Sequence, residues 1–276
     1  MARGDGDELV ECGLGHTHWG RFGAAGLLPV CDGQVLLQQR GWWTPGGNTW
    51  GLFGGARDSD EDAVAAALRE TAEESTLDVS LARPFGVVRE DHGGWVYETV
   101  IAAMTSTPEV GPANEETDAA AWMPVDEVAG RALFGPFAAA WPRLTGCLRE
   151  PVLVVDCANV MGSRPDGWWR DRAGAAVRIR DSLARVRGFT GFAPFDVAYP
   201  RVVLVTEGQT RRTEPVDGVE VVPAPGSGDD TIVEVAAGFA DQACLVVTAD
   251  RELRARCAAV GADVIGPSWL LDQFGR

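Results

Sequence analysis

The sequence of 276 residues contains no lysine, so all 24 of its basic residues are arginine. Acids outnumber them, and the formal net charge is −16 at pH 7. This balance excludes a protein that coats nucleic acid through general electrostatics. The charge is uneven, because residues 1–150 hold 10 arginines against 23 acids while residues 151–276 hold 14 against 17. The length and the two unlike halves both indicate two domains.

The chain also lacks any apolar run long enough to cross a bilayer, and acids occupy the place of a signal peptide's apolar core. We therefore expect no membrane association. No C-x-x-C pair occurs among the six scattered cysteines, which are Cys12, Cys31, Cys147, Cys157, Cys244 and Cys257. Separated cysteines are typical of reduced thiols, so we expect a cytoplasmic protein.

The first half alternates strand-like segments with turns. Four segments are rich in β-formers and bounded by Gly, Asp or Pro: AAGLLPV, QVLLQQR, RPFGVVRE and WVYETVIAAM. Helical patterns fall near residues 60–75 and 135–145. These elements predict a mixed α/β domain with helices packed on a sheet, ending near a linker at 144–151.

The second half has a strand–helix rhythm. Its strands are nearly continuous apolar runs, as in central parallel strands: PVLVVD, RVVLVT, VEVVP and ACLVVT. Helical segments are predicted near 168–187, 229–240 and 250–260. This pattern predicts a doubly wound parallel sheet, whose ligands bind at the carboxyl ends of the strands. The predicted domains are 1–148 and 149–276.

The segment GGARDSDEDAVAAALRETAEEST concentrates acid on one predicted helix. Glu70, Glu73 and Glu74 lie within five positions, and like charges three or four residues apart on a helix repel each other. A hard divalent cation seeks several carboxylate oxygens and would remove that repulsion. The alternative is a solvated acidic helix without chemistry.

This segment resembles a Nudix box, Gly-x5-Glu-x7-Arg-Glu-U-x-Glu-Glu-x-Gly-U with U aliphatic. Six residues carry the resemblance: Gly55, Glu61, Arg69, Glu70, Glu73 and Glu74. It implies an α/β/α sandwich with a mixed sheet that hydrolyses a diphosphate linkage in a nucleoside diphosphate derivative. It also implies that the last three glutamates hold Mg²⁺ or Mn²⁺ with the Gly55 carbonyl, while Arg69 and Glu61 form a supporting ion pair.

The family often adds an acid from a later loop. Here the candidates are Glu115 and Glu116, and we place Glu116 in the predicted metal set with the choice left open. Three residues depart from the family pattern. Thr71 and Thr76 replace an aliphatic residue and a glycine, and Phe53 stands where proline is common. A threonine resists the left-handed conformation of a helix-ending glycine. The alternative is therefore a nucleotide-sensing domain with weak or no catalysis.

Two further motifs precede the box. RGWWTPGGNTWG places Trp42 and Trp43 where a nucleotide base can stack, although packing in the core or at a rim explains them equally well. CGLGHTHWG brings Cys12, His16 and His18 close together, as in half of a zinc site. No second Cys/His pair follows nearby, so a zinc site is not the favoured interpretation.

Polar residues follow the apolar strands of the second half. Asp156 ends one strand with Asn159 just after it, Asp229 and Asp230 begin a predicted helix, and Asp250 follows a later strand. In a parallel sheet these points converge on one edge, where carboxylates can assemble Mg²⁺ ions for phosphodiester hydrolysis. Aspartates also commonly cap helices, which is the alternative.

Through these same residues, the chain from 151 to 274 resembles the NYN domains, relatives of the PIN-type ribonucleases. The resemblance implies metal-dependent cleavage of single-stranded RNA, or binding of it. It implies Asp156, Asp229, Asp230 and Asp250 as ligands, with Asp156 and Asp230 in catalytic roles.

The segment from 164 to 187 is rich in arginine. It contains seven arginines and only three aspartates, Asp166, Asp171 and Asp181, with two tryptophans interleaved. Such a segment can hold a phosphate backbone and stack bases. The predicted RNA contacts are Arg170, Arg172 and Arg178, together with Asn159. A charged, solvated helix face explains the segment about as well.

Overall fold

The computed structural model describes residues 4–164 and 167–275. The chain forms two compact units. The first unit contains Met1–Leu148 with Ala193–Asp196, and the second contains Arg149–Phe192 with Val197–Arg276. Asp166 of the predicted arginine-rich segment lies outside the described residues. No helix in the described parts of the chain is both long and apolar enough to span a bilayer.

The first unit contains nine strands and three α-helices in its described part. The strands are β1 (Leu9–Glu11), β2 (Thr17–Trp19), β3 (Ala24–Cys31), β4 (Gln34–Arg40), β5 (Trp50–Gly51), β6 (Phe53–Ala56), β7 (Arg83–Asp91), β8 (Val96–Ala103) and β9 (Thr117–Pro124). The helices are α1 (Ala63–Glu74), α2 (Val125–Val128) and α3 (Gly135–Leu144).

The sheet of the first unit is mixed. Its strand order is β7-β8-β3-β4-β5, with β6 paired to β3 and β9 paired to β4. Strand β3 runs parallel to β8 and antiparallel to β6, so Ala25 lies opposite both Glu98 and Gly55. Strands β1 and β2 form a separate antiparallel pair. The predicted mixed α/β domain is confirmed.

Helix α1 begins three residues later than the predicted helix, because the Asp62 side chain caps it by accepting a hydrogen bond from Ala65 N at 2.8 Å. Its buried positions are Ala63, Ala66, Ala67, Thr71 and Glu74. This helical spacing forms one face. The last residue on this buried face is Glu74, so its carboxylate lies against the sheet.

The second unit contains seven strands and five α-helices in its described part. The strands are β10 (Pro151–Asp156), β11 (Phe189–Thr190), β12 (Val197–Ala198), β13 (Arg201–Thr206), β14 (Val219–Pro223), β15 (Ala243–Val247) and β16 (Asp263–Ile265). The helices are α4 (Cys157–Gly162), α5 (Arg172–Leu183), α6 (Gly228–Ala237), α7 (Arg251–Ala259) and α8 (Pro267–Gln273).

The main sheet of the second unit is parallel throughout, in the order β14-β13-β10-β15-β16. All six residues of the central strand β10 are buried, as a nearly continuous apolar run predicts. The strand order reverses between β10 and β15, and such a reversal opens a crevice at the carboxyl ends of the strands. The predicted parallel sheet is confirmed.

Candidate functional site

The three glutamates of the box line one cleft of about 1070 Å³ in the first unit. Glu73 is the most exposed of them, with 45% of its side chain accessible, and Glu70 has 16%. Glu74 is only 6% exposed. Gly55 lines the same cleft from β6. The structure therefore brings together the residues that the sequence predicts as a metal site.

The Glu74 carboxylate is held by two donors. Its Oε2 accepts a hydrogen bond from Gly54 N at 3.0 Å and another from Gln38 Nε2 at 3.0 Å. Gln38 is itself fixed, because it donates to Leu52 O and accepts from Thr117 Oγ1. Gln38 was not predicted from the sequence, although a glutamine directly after the apolar Val-Leu-Leu run of β4 was a usable signal.

Burial in the cleft makes the charged forms of Glu70 and Glu74 unfavourable. Burial raises the pKa of Glu74 to about 8, with further contributions from Glu70 and Glu116. Burial likewise raises the pKa of Glu70 above its ordinary value, although Arg69 opposes this. Buried, mutually repelling carboxylates suit a hard divalent cation, so these residues fit Mg²⁺ or Mn²⁺.

The raised pKa of Glu74 predicts a pH-dependent stability in protein stripped of divalent ions. The folded chain holds this proton more tightly than the unfolded chain, whose glutamate has the ordinary pKa of 4.5. Between pH 4.5 and about 8 the free energy of unfolding should therefore fall as pH rises, by at most about 1.4 kcal/mol per pH unit. Melting temperatures measured in EDTA from pH 5 to 8.5 check this. Glu74→Gln should flatten the slope, the surface variant Glu127→Gln should keep it, and equal slopes in all three proteins would contradict the assignment.

Arg69, midway along α1, ties this helix to the segment that precedes it. Its guanidinium donates to both carboxylate oxygens of Glu61, at 2.7 and 2.8 Å, and to Ala56 O at 2.9 Å. It also lies 2.8 Å from Glu70 and 3.5 Å from Glu73. The hydrogen bond from Arg69 is the main cause of the lowered pKa of Glu61. A bound cation would compete with Arg69 for the carboxylates of Glu70 and Glu73.

Gly55 leaves room for the Glu70 carboxylate. A Cβ at Gly55 would lie 2.6 Å from the Glu70 carboxyl carbon, which is too close. We expect Gly55→Ala to displace that carboxylate and to weaken Mn²⁺ binding by about 10- to 100-fold, the size of effect seen when support for metal ligands is lost. Calorimetric titration with Mn²⁺ measures this. Gly51→Ala is the matched control, because its Cβ would meet only Phe134 at an ordinary 3.5 Å; equal affinities of the two variants would contradict the role of Gly55.

The three departures from the family pattern are accommodated. Thr71 is fully buried and its hydroxyl donates to Ala67 O. Phe53 is fully buried in a core cluster with Leu36 and other apolar residues. Thr76 N donates to Gly111 O, and its hydroxyl accepts from Gly111 N. The left-handed strain expected at Thr76 does not arise, since Asp32 and Asn48 are the non-glycine residues with positive φ in the described chain.

Of the remaining predicted residues of the first unit, some line the cleft and others do not. Glu116 lines the cleft, whereas the backbone oxygen of Glu115 accepts a hydrogen bond from Trp43 Nε1. Trp42 and Trp43 are 73% and 53% exposed and are not among the residues that line the cleft. These two tryptophans lie in the turn after β4, and their role in stacking on a base stays a prediction. The aromatic rings that line the cleft are those of His18, Trp19, His92, Trp95, Tyr97, Phe134 and Phe137.

Arg40 supplies a second cation to the cleft, at the end of β4. Its guanidinium lies over the Phe134 ring, 4.8 Å from the centroid, and its Nε donates to Pro45 O. Arg40 and Phe134 were not predicted from the sequence. Neither belongs to the box, and their meeting depends on a tertiary contact between distant segments.

The second unit has its own acidic cleft, of about 500 Å³, at the carboxyl ends of its parallel strands. Asp156, Asn159, Asp229 and Asp250 all line it, as the sequence predicts. Glu207 also lines it and was missed. Glu207 follows β13 directly, so the rule that selected Asp156 at the end of β10 would also have found it.

Local hydrogen bonds orient these side chains. Asp156 accepts from Asn159 N at 2.9 Å and from Thr248 Oγ1 at 3.0 Å, while Asn159 Oδ1 accepts from Ala249 N. Asp250 accepts from Leu253 N and so caps α7, as the alternative interpretation expected. Burial raises the pKa of Asp156. Burial and then the charge of Asp250 raise the pKa of Asp229.

Asp230 is placed differently from Asp229. It is not among the residues that line the cleft, and its side chain is 72% exposed and pairs with Arg256 at 2.6 Å. Successive residues on a helix point about 100° apart, so Asp229 and Asp230 cannot share one direction. This position does not favour a ligand, and the role of Asp230 as a ligand and a catalytic residue stays a prediction.

The predicted RNA-contacting arginines are exposed on the second unit and do not line its cleft. Arg172 lies over the Trp168 ring, 5.2 Å from the centroid, and Arg178 lies 4.0 Å from Asp171. Arg170 is the last residue of a short 3₁₀ turn that begins at Trp168. Their RNA-binding role stays a prediction.

Comparisons with known proteins show similarity to one family over the first half of the chain. A family model described as "NUDIX domain" matches residues 20–143. A Mycobacterium tuberculosis protein named "Putative 8-oxo-dGTP diphosphatase 3" is 43% identical over 158 residues, which make up 52% of this chain and 71% of that protein. The crystal structure of RenU, a Nudix hydrolase from M. smegmatis, is 36% identical and covers 51% of this chain and 93% of that one, with a TM-score of 0.47.

A Bifidobacterium longum protein named "Nucleoside triphosphate pyrophosphatase/Nudix hydrolase fusion protein" is 37% identical over 154 residues. The match covers 52% of this chain and 32% of that protein, so the chain spans about a third of this relative. The matching family model, and a relative 43% identical of which the chain covers 71%, show that the chain belongs to the Nudix family.

Proposed function

We propose that the first unit hydrolyses a diphosphate linkage in a nucleotide derivative, with Mg²⁺ or Mn²⁺ as its cofactor. The observation that carries this proposal is the convergence of Glu70, Glu73 and Glu74 with Gly55 in one large cleft. Family membership and the names of the relatives support the same activity. When bound, the ion activates water and neutralises the charge of the phosphates.

The chain's own residues divide the work. Glu70, Glu73 and Glu74 would hold the ion, and Arg69 ties their helix to the segment before it. Arg40 faces the cleft as a cation that can pair with a phosphate oxygen. Glu116 lies at the cleft as a further ligand or base.

The nucleotide base has an aromatic wall available. Trp19 and Phe134 are among the rings that line the cleft, and such faces stack on bases with little sequence preference. The glutamates, once they hold an ion, and the aromatic rings together fit a substrate that is anionic at one end and flat at the other.

A panel of nucleotides tests this proposal. Nucleoside triphosphates, 8-oxo-dGTP, sugar nucleotides and dinucleotides are incubated with the full chain and Mg²⁺ or Mn²⁺, and phosphate or diphosphate release is measured. We expect turnover of at least one class that stops in EDTA. Saturable nucleotide binding without turnover would instead establish the alternative, a nucleotide-sensing domain.

A second candidate function rests on the cleft of the second unit. Asp156, Asp229, Asp250 and Glu207 converge there at the point where the strand order reverses. This supports our proposal that the second unit binds divalent ions and cleaves single-stranded RNA. RNA binding without cleavage is the alternative.

We also propose a cytoplasmic location. The six cysteines are all free and buried, which is consistent with a reducing compartment. Fluorescence of a tagged full-length chain in cells measures the distribution. Enrichment at the membrane or outside the cell would contradict the proposal.

A further inference from the structure

A compact turn beside the nucleotide cleft brings a thiol and two imidazoles together. Cys12 follows β1, His16 precedes β2, and His18 lies within β2. The turn is closed by hydrogen bonds from Cys12 N to His16 O and from Gly15 N to Cys12 O, each 2.9 Å. As a result, one ligand atom from each of Cys12, His16 and His18 lies within 4.8 Å of the others.

A third imidazole approaches from the turn between β7 and β8. The His92 ring centroid lies 4.7 Å from that of His18 and 6.4 Å from that of His16. The two turns are joined by a hydrogen bond of 2.9 Å from Gly13 N to Gly93 O. No second Cys/His pair is apparent near Cys12 in the sequence, because His92 is distant in the chain and only the fold brings it close.

An unsatisfied polar atom within the group points to a ligand. His18 Nε2 is buried and has no hydrogen-bond partner among the described residues. Such an atom loses its bonds to water without replacement, which is costly. A coordinate bond to a metal would satisfy this nitrogen.

The donor set selects the metal. One thiolate and three imidazoles suit Zn²⁺, which binds four such ligands as a tetrahedron at about 2.0–2.3 Å. Mg²⁺ and Ca²⁺ prefer oxygen and suit the glutamate cluster instead. The Cys/His group and the glutamate cluster therefore suit different metals, although His18 and His92 line the same cleft as the glutamates.

We propose that Cys12, His16, His18 and His92 bind one zinc ion, and that this ion fixes a wall of the cleft. His18 stacks on Trp95 with ring centroids 4.0 Å apart and an interplanar angle of 11°, and Trp95 Nε1 donates to Gly20 O. An ion that holds the His18 ring holds this tryptophan with it. The zinc site is structural, and it stands whether or not the cleft hydrolyses nucleotides.

Cobalt substitution tests the site without any activity assay. The full chain is stripped with a chelator and titrated with Co²⁺, and the absorption spectrum is recorded. We expect one equivalent to give tetrahedral ligand-field bands with a thiolate-to-cobalt charge-transfer band, which carboxylates cannot produce. Zn²⁺ should then displace the cobalt and remove both bands.

Variants assign the ligands. Cys12→Ser should abolish the charge-transfer band, and His16→Gln and His92→Gln should weaken Co²⁺ binding by at least about 10-fold. Cys31→Ala is the matched control, since Cys31 is a buried cysteine of the same unit outside the group, and it should leave the band unchanged. His16 is exposed, so its variant remains informative even where Cys12→Ser fails to fold. Absence of the band in the parent chain, or its persistence in Cys12→Ser, would overturn the proposal, and unchanged affinity in His92→Gln would exclude the fourth ligand.

Discussion

Replacing Glu73 by glutamine is expected to lower nucleotide hydrolysis by at least about 100-fold while leaving the fold intact. Loss of a preorganised charge at a reacting centre typically costs two to three orders of magnitude. Glu73 is the most accessible of the three glutamates, with 45% of its side chain exposed. The substitution therefore removes a negative oxygen from the cation site without opening a cavity in the core.

The matched control for this experiment is Glu127→Gln. Glu127 also pairs with an arginine four residues away on the chain, at 3.2 Å from Arg131, and its side chain is 55% exposed. It is not among the residues that line the cleft. Turnover is measured at saturating Mg²⁺ on the best substrate of the panel, together with the melting temperature of each variant. Equal turnover of Glu73→Gln and Glu127→Gln would show that Glu73 does not act in the reaction.

Replacing Asp156 by asparagine is expected to reduce cleavage of single-stranded RNA by at least about 100-fold. Asp156 is 6% exposed and accepts hydrogen bonds from Asn159 N and Thr248 Oγ1. Asparagine keeps the shape and one accepting oxygen, but it removes the negative charge that a divalent ion requires. The prediction applies to degradation of labelled RNA by the full chain with Mg²⁺ or Mn²⁺.

The variant Asp230→Asn tests whether Asp230 acts in RNA cleavage, as the sequence predicts, or has no part in it, as its position in the structure indicates. Asp230 pairs with Arg256 outside the cleft, so its variant should cleave RNA like the parent. Cleavage that survives in Asp156→Asn would refute the metal site of the second unit. Loss of cleavage in Asp230→Asn, with the fold intact, would restore the sequence-based assignment.

The parts of each site that lie close together in sequence were predictable. The spacing of Glu70, Glu73 and Glu74 on one helix turn, with Arg69 beside them, is a local pattern that reflects helix geometry directly. The carboxyl end of a parallel strand is likewise a local signal, and it selected Asp156 correctly for the cleft.

The parts that depend on tertiary contacts were not predictable. Gln38 reaches Glu74 across the contact between α1 and the sheet, and Arg40 meets Phe134 only after two distant segments pack. Neither contact produces a periodic pattern in the sequence. The sequence predicted both Asp229 and Asp230 as ligands, and it could not show which of them lines the cleft, because successive residues on a helix point about 100° apart.

The central claim is that the carboxylates of Glu70, Glu73 and Glu74 hold a divalent cation in the cleft of the first unit. Anomalous diffraction from a crystal of the full chain soaked in Mn²⁺ tests it most directly, because the signal locates each ion and separates the two units. We predict a manganese peak within bonding distance of these glutamates and the Gly55 carbonyl. A well-occupied manganese peak in the second unit, with none beside the three glutamates, would contradict the claim.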